Sequence, residues 1–393
     1  MGLLPCHVCR VAQPSGKISS ILMFRPALIG PWNDLNGRCC FTGYECNVRR
    51  VQQILFAHDQ QAYIWLRTMF AAPANYVVAM IVSAFAGAVL FGAEIELPDA
   101  KPVPRTQAIP LPQHQISFQR DGAELARLHY DPADLRPFVY PVLGLSGRSL
   151  TRMGHPHDPV THSHHNSVWV SHHDVNGISF WDDRGKGRIV QQRVEELGDG
   201  SDEAYALTVN EWRTADGRTL LLERRRTAIH LLPDGEWWLV LDLQLTVPGT
   251  NVVTLGKTPF GLVGVRMAKT IGVHDGGGMS RNSEGGVNEK GTIWKPARWL
   301  DYSGPIAPGI NEGLTLMDHP ANPNHPTVFH VRDDGWMGSS LTFDRPREIH
   351  PGKPLRLRYG LWVHRGIPSA EKIAEQWQTF AATALPDLEV KQR

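Results

Sequence analysis

Seven of the chain's eighteen histidines, His155, His157, His162, His164, His165, His172 and His173, fall within nineteen residues. Imidazole titrates near neutral pH and, when neutral, ligates transition metals, so such a cluster suits proton transfer or metal binding. In THSHHNSVWV an extended backbone puts His162 and His164 on one face and His165 on the other. His164 and His165 are accordingly candidates for acid and base, with His172 and the nearby Asn176 as substrate ligands. The metal alternative assigns one divalent ion to His162, His164 and His172, or with His173 or His319 as the third ligand, although the carboxylate that would complete a cupin-type site is missing from the following turn. The reading without a cofactor is preferred. Any one of these histidines could equally satisfy backbone carbonyls, but imidazoles buried together without a common task would repel on protonation.

A second polar segment runs through ARWLDYSGPI and then DHPANPNHPTVFHVRDDG. It offers Asp301 and Tyr302 to assist proton transfer and His319 as the partner acid or base of the histidine segment. Arg298 and Arg332 are expected to anchor an anionic or hydroxyl-rich group, with Asn322, His325 and His330 hydrogen-bonding to substrate. Pro320, Pro323 and Pro326 stiffen the intervening loop. Arg298 and Asp301 could instead form a structural ion pair. Lys257, Arg266 and Glu284 are weaker candidates.

Nine tryptophans lie between Trp169 and Trp362. Indole faces suit the apolar C–H faces of sugar rings, and His, Asn, Asp and Arg suit their hydroxyls. Most of these tryptophans belong in a core. Trp181 and Trp336, beside acidic residues, are the expected surface pair.

The elements that must position these groups are strands. In Trp237 to Val247 the odd positions are apolar and Asp242, Gln244 and Thr246 point the other way, a period of two. Leu355 to Val363 repeats the pattern, and Asp216-Gly217 and Asp234-Gly235 supply hairpin turns, making 203–247 three antiparallel strands. Further strands are expected at 115–119, 124–129, 137–141, 167–172, 187–196, 262–267, 292–299, 312–317, 327–332 and 337–343. Only 368–382, after Pro368-Ser369, has helical spacing. With no strand–helix alternation, the fold class is all-β: a large two-sheet antiparallel β-sandwich with a short C-terminal helix.

The 393 residues carry 40 basic and 39 acidic side chains, and no basic run offers a field for nucleic acid. All five cysteines lie in the first 46 residues, and Cys6 and Cys9 lack a second pair at zinc spacing. The apolar run from Tyr76 to Ala93 reads as an export signal with a small-residue exit near Gly92-Ala93, or else as a membrane anchor. The organisation expected is an over-extended, disordered start at 1–68, a signal or anchor at 69–93, a Pro-rich linker at 94–112, the sandwich at 113–385 and a tail at 386–393. The exported protein would be periplasmic or extracellular.

The strings FVYPVLGLSG, HSHHNSVWVSHHDVNGISFW, NSEGG, ARWLDYSGPI and DHPANPNHPTVFHVRDDG, in order from Arg136 to Gly366, resemble a bacterial domain of unknown function labelled methane oxygenase PmoA. The resemblance implies an exported bacterial protein found among sugar-degradation genes. The family usually carries Asp where this sequence has Thr161 and Arg where it has Asn166. A strand-patterned body with one apolar span is not a lipid-embedded methane oxidase, so the label does not describe its chemistry. The architecture is also similar to the galactose-mutarotase supersandwich. The expected function is that of an exported carbohydrate-active enzyme of lyase, hydrolase or epimerase type. The alternatives are a metal-dependent histidine-site enzyme and a non-catalytic glycan-binding module.

Overall fold

The computed structural model describes residues 101–158 and 160–389. The start at 1–68, the signal or anchor at 69–93 and the last residues of the tail lie outside them. Among the described residues no helix is long and apolar enough to cross a membrane.

Two antiparallel sheets make up the body. The nine-stranded sheet runs in the order β1 (Thr106–Leu111), β2 (Gln115–Arg120), β3 (Ala123–His129), β4 (Phe138–Val142), β5 (Val168–Val170), β11 (Leu262–Arg266), β17 (Trp336–Ser340), β16 (Val328–Arg332) and β13 (Lys295–Pro296). The eight-stranded sheet runs β12 (Met279–Asn282), β14 (Trp299–Ala307), β15 (Ile310–Asp318), β19 (Leu355–Arg365), β9 (Trp237–Thr246), β8 (Thr219–Leu231), β7 (Glu203–Thr214) and β6 (Gly187–Gly198). A small pair, β10 (Val253–Leu255) and β18 (Arg347–Ile349), stands apart.

Alternation explains the layering. Trp237, Leu239, Leu241, Leu243 and Leu245 of β9 join Ile116, Phe118, Val168, Val170, Val263 and Val265 of the other sheet in one buried apolar cluster. Burying each such side chain contributes roughly 1.5–3 kcal/mol. The alternate β9 residues Trp238 and Val240 face outward. They pack with Trp299, Met317 and Trp362 under Ile373 and Phe380 of a C-terminal helix, Ala370–Ala381. That helix starts where Ser369 accepts a bond from the Lys372 backbone N–H, after Pro368. A third cluster, Phe138, Trp169, Trp181 and Trp336, occupies the outer face of the nine-stranded sheet.

Several boundaries differ from the sequence reading. Residues 106–111, inside the stretch expected as linker, form β1 and pair with β2; as an edge strand it tolerates Pro110, because only one side needs ladder donors. The expected strand at 292–299 breaks into the end of a one-turn helix, Asn288–Thr292, and the two-residue β13. The RWLDYSGPI segment, expected to line a cleft, is instead, from Trp299 on, the strand β14, second from one edge of its sheet. One turn behaves as expected, Asp234 and Gly235 both taking positive φ, at 58° and 80°; in the other only Gly217 does, at 85°.

Candidate functional site

A pocket of about 310 Å³ opens on the outer face of the nine-stranded sheet, between the loop that follows β4 and the strands β11, β16 and β17. Its floor is aromatic. Trp181 and Trp336 line it, backed by buried Trp169 with the three ring centroids 5.3–5.6 Å apart, and Phe260 closes one side 5.9 Å from Trp181. Glycine makes this floor possible. A Cβ on Gly264 would stand 2.8 Å from both Trp169 and Trp336, and one on Gly338 2.8 Å from Trp336. Missing side chains on β11 and β17 therefore let the indoles lie flat on the strands.

Histidines form the walls. His165, only 7% exposed, is layered against Trp336 at 5.2 Å and Trp169 at 5.6 Å, and His164 meets it edge-on at 4.6 Å. His162 lies 5.7 Å from His164 and 5.1 Å from His165, and His330 meets Trp336 edge-on at 6.0 Å. Burial, reinforced by the Arg136 charge, lowers the pKa of His164 to about 4. Burial, with Arg332 nearby, does the same to His330, again to about 4. His165 is pushed down further by burial and by His164 and Arg266. These rings are neutral at physiological pH.

Hydrogen bonds assign the tautomers of two more. The His155 Nδ1 accepts from the backbone N–H groups of His157 and Asp158, so its Nε2–H donates to Asp334 Oδ2 at 2.7 Å. Both of its nitrogens are thereby used. His162 donates Nδ1–H to Asp158 Oδ2 at 2.8 Å, which leaves its Nε2 a lone pair. Hydrogen bonds from the Thr161 hydroxyl and backbone, then from His162, hold the Asp158 carboxyl well below the usual range. The carboxylate of Asp158 thus stands against both Thr161 and His162.

Two buried arginines brace the walls. Arg136, 1% exposed, donates to the His164 carbonyl at 3.1 Å, Asn166 Oδ1 at 2.6 Å and the Trp181 carbonyl at 2.6 Å, and burial lowers its pKa to about 10. It ties the histidine segment to the loop carrying Trp181. Arg266 donates to Asp334 Oδ1 at 2.8 Å. Burial pushes the Asp334 carboxyl up, but Arg266 and His155 outweigh it and hold the pKa low. Arg332 stands at the rim against Glu289, 2.9 Å away.

Of the residues expected to form the site, His162, His164, His165, His330, Arg332, Trp181 and Trp336 line this pocket. Two segments remote in sequence therefore share it. Trp181 and Trp336, expected at the surface, are 4% exposed each. The others lie elsewhere. His319 is buried beneath the C-terminal helix, edge-on to Phe380, with its Nδ1 accepting from Ala321 N–H and its Nε2 at the Thr383 carbonyl. Asp301, fully buried, is held by His364, Arg281, Ser303 and Thr315. Tyr302 is a core residue whose hydroxyl donates to the Arg332 carbonyl, and burial raises its pKa. These three side chains have no access to the pocket.

His325 binds Asp318 and stacks on Trp377, Asn322 donates to Asp318 and to the Arg358 carbonyl, and Arg298 lies over Trp377. All three secure the helix and its loop. Asn176 takes φ 51° in the Asn176-Gly177 turn and accepts from Thr254 N–H, a turn role. His172 has both nitrogens engaged, with Thr342 Oγ1 and with Asp174 N–H, so it cannot join His162 and His164 around a metal ion. His155, Asp182, Phe260 and Asp334 line the pocket without having been assigned a role. His155 carried a signal, its place in the histidine cluster; Arg136 carried none, being one arginine among many.

Comparison with known proteins adds a family and little chemistry. No curated protein matches. Among solved structures, 4-alpha-glucanotransferase from Thermococcus litoralis is similar at 9% identity and a TM-score of 0.28, over 68% of this chain and 40% of that one. The chain thus spans well under half the length of that enzyme. Residues 115–378 match the profile of a family of unknown function, a stretch holding both sheets' centres and every wall of the pocket, and the chain belongs to that family, DUF6807.

Proposed function

We propose that the protein is an exported enzyme that moves a proton on a sugar or sugar derivative bound in the histidine–tryptophan pocket, as an epimerase or eliminating lyase does. The observation that carries this reading is the Asp158–His162 pair. A carboxylate fixes the imidazole in one tautomer, and His162 lines the pocket beside His164 and His165. His162 is the base that takes a proton from a carbon next to a carbonyl or carboxyl group. His164, His165 and His330, held neutral by burial, donate N–H bonds to the oxygen on which negative charge develops, as neutral imidazole can. Arg332 anchors an acidic or hydroxyl group at the rim, and the indoles take the apolar sugar face.

The carboxylates argue for proton transfer over hydrolysis. Glycoside hydrolysis by two carboxyl groups needs one kept protonated. Asp334 is held ionised between Arg266 and His155, and the Asp182 carboxyl is lowered, its Ser179 and His173 partners outweighing burial. The test is a panel of keto-sugars, uronides and glycosides incubated in deuterium oxide, with NMR following exchange and product. Exchange or turnover is expected, with His162→Ala reducing the rate by about 10²–10⁴-fold while calorimetric affinity changes little. Sugar binding with neither exchange nor turnover would instead make the protein a binding module.

A further inference from the structure

Outside the pocket, three side chains from two distant segments meet at one point. His157, His274 and Asp275 each offer a ligand atom within 4.8 Å of the others, the only such group among the described residues. The Asp275 Oδ1 lies 2.7 Å from His157 Nε2 and 3.7 Å from His274 Nδ1. The two imidazole centroids are 6.0 Å apart and the rings cross at 70°, so neither blocks the other. Asp275 itself is not a surface carboxylate: its side chain is 10% exposed, and its Oδ2 is buried with no hydrogen-bond partner. The Asp275 Oδ2 thus has no donor of its own, although Lys269 and Arg152 are near enough to feel its charge, and it stands beside two accessible imidazoles.

We propose that His157, His274 and Asp275 bind one divalent transition-metal ion, zinc foremost, with water completing its shell. Two imidazoles and one carboxylate are a borderline-soft set that suits zinc and its neighbours, and discriminates against magnesium and calcium, which take oxygen ligands. Such an ion displaces the proton shared by His157 and Asp275 and ties the 155–158 loop to the one-turn helix Val273–Gly276. The loop matters because the same few residues hold His155, bonded to Asp334, and Asp158, which orients His162. The ion's role is therefore to brace one wall of the pocket from behind. The proposal stands on its own ligands and holds whether or not the pocket is catalytic.

Full-length protein stripped by chelator is titrated with zinc by calorimetry, beside His274→Ala and His164→Ala. The cysteines near the start can take zinc themselves, so the difference between variants is the readout. Wild type and His164→Ala are expected to share one saturable equivalent that His274→Ala binds about tenfold more weakly or not at all. Zinc should raise the melting temperature of the first two by clearly more than that of His274→Ala. His274 is 71% exposed, so its loss should not disturb folding in chelator. Identical zinc isotherms for wild type and His274→Ala would overturn the site, as would loss of the equivalent in His164→Ala alone, which would move the ion into the pocket.

Discussion

His164, His172 and His330 share one consequence of burial, a pKa near 4 against about 6.5 in an unfolded chain. Their folded pKa is depressed, so the stability they contribute is present in full above pH 6.5 and is lost as pH falls toward 4, where both states are protonated alike. Each contributes on the order of 1–3 kcal/mol across that window. Asp242 works the other way, its pKa raised to about 6 by burial, but it is one group against several. Urea unfolding at pH 4.5, 5.5 and 7 should show stability climbing with pH, and His172→Gln, which keeps the size but not the titration, should flatten the climb. Residue type alone did not separate these roles. His164 and His319 look the same in sequence, and only burial against Phe380 removes the second from chemistry. The dense cluster at 155–173 was legible because seven imidazoles in nineteen residues exceed any structural need. Arg136 was invisible because its task, tying His164 and Trp181 carbonyls, is set by chain folding.

At the scale of elements, the long strands β9 and β19 were readable because one face meets the core and their apolar residues alternate over nine or more positions. β14 was misread for a physical reason. Leu300 and Tyr302 face the core while Asp301 and Ser303 face outward into a network with His364, so both faces are buried and the polar face imitates a cleft. β10, β12 and β18 have four residues or fewer, too short to show a period. Two glycines on β11 and β17 carry a sharper expectation. Gly264→Ala places a methyl group against two indoles, which should cost about 1–3 kcal/mol and reshape the pocket floor. Thermal melts and sugar calorimetry on the same variant should change together. By contrast, Ser369→Ala removes only the helix cap, costing about 1 kcal/mol with sugar affinity unaltered.

Taken as one body, the protein carries something on the outer side of each sheet: the C-terminal helix over Trp238 and Trp362, and the histidine loop over Trp169 and Trp336. Residues 101–389 contain both, and a chain cut to that length should melt cooperatively and keep its affinity for whatever sugar the full chain binds. Loss of binding on truncation would mean that the first hundred residues contribute to the pocket. The two-sheet architecture was legible from strand periodicity and Asp-Gly turns, whereas the choice of outer face for the pocket depended on which loops close over it, and loop packing has no periodic signature. The floor itself has an optical consequence. Three indoles with centroids within 5.6 Å are close enough for their excited states to mix. The far-ultraviolet circular dichroism of the native protein should therefore carry an indole exciton couplet that Trp181→Phe weakens, Trp169 and Trp336 remaining paired, and any molecule settling on that surface would announce itself by altering the couplet, without a label.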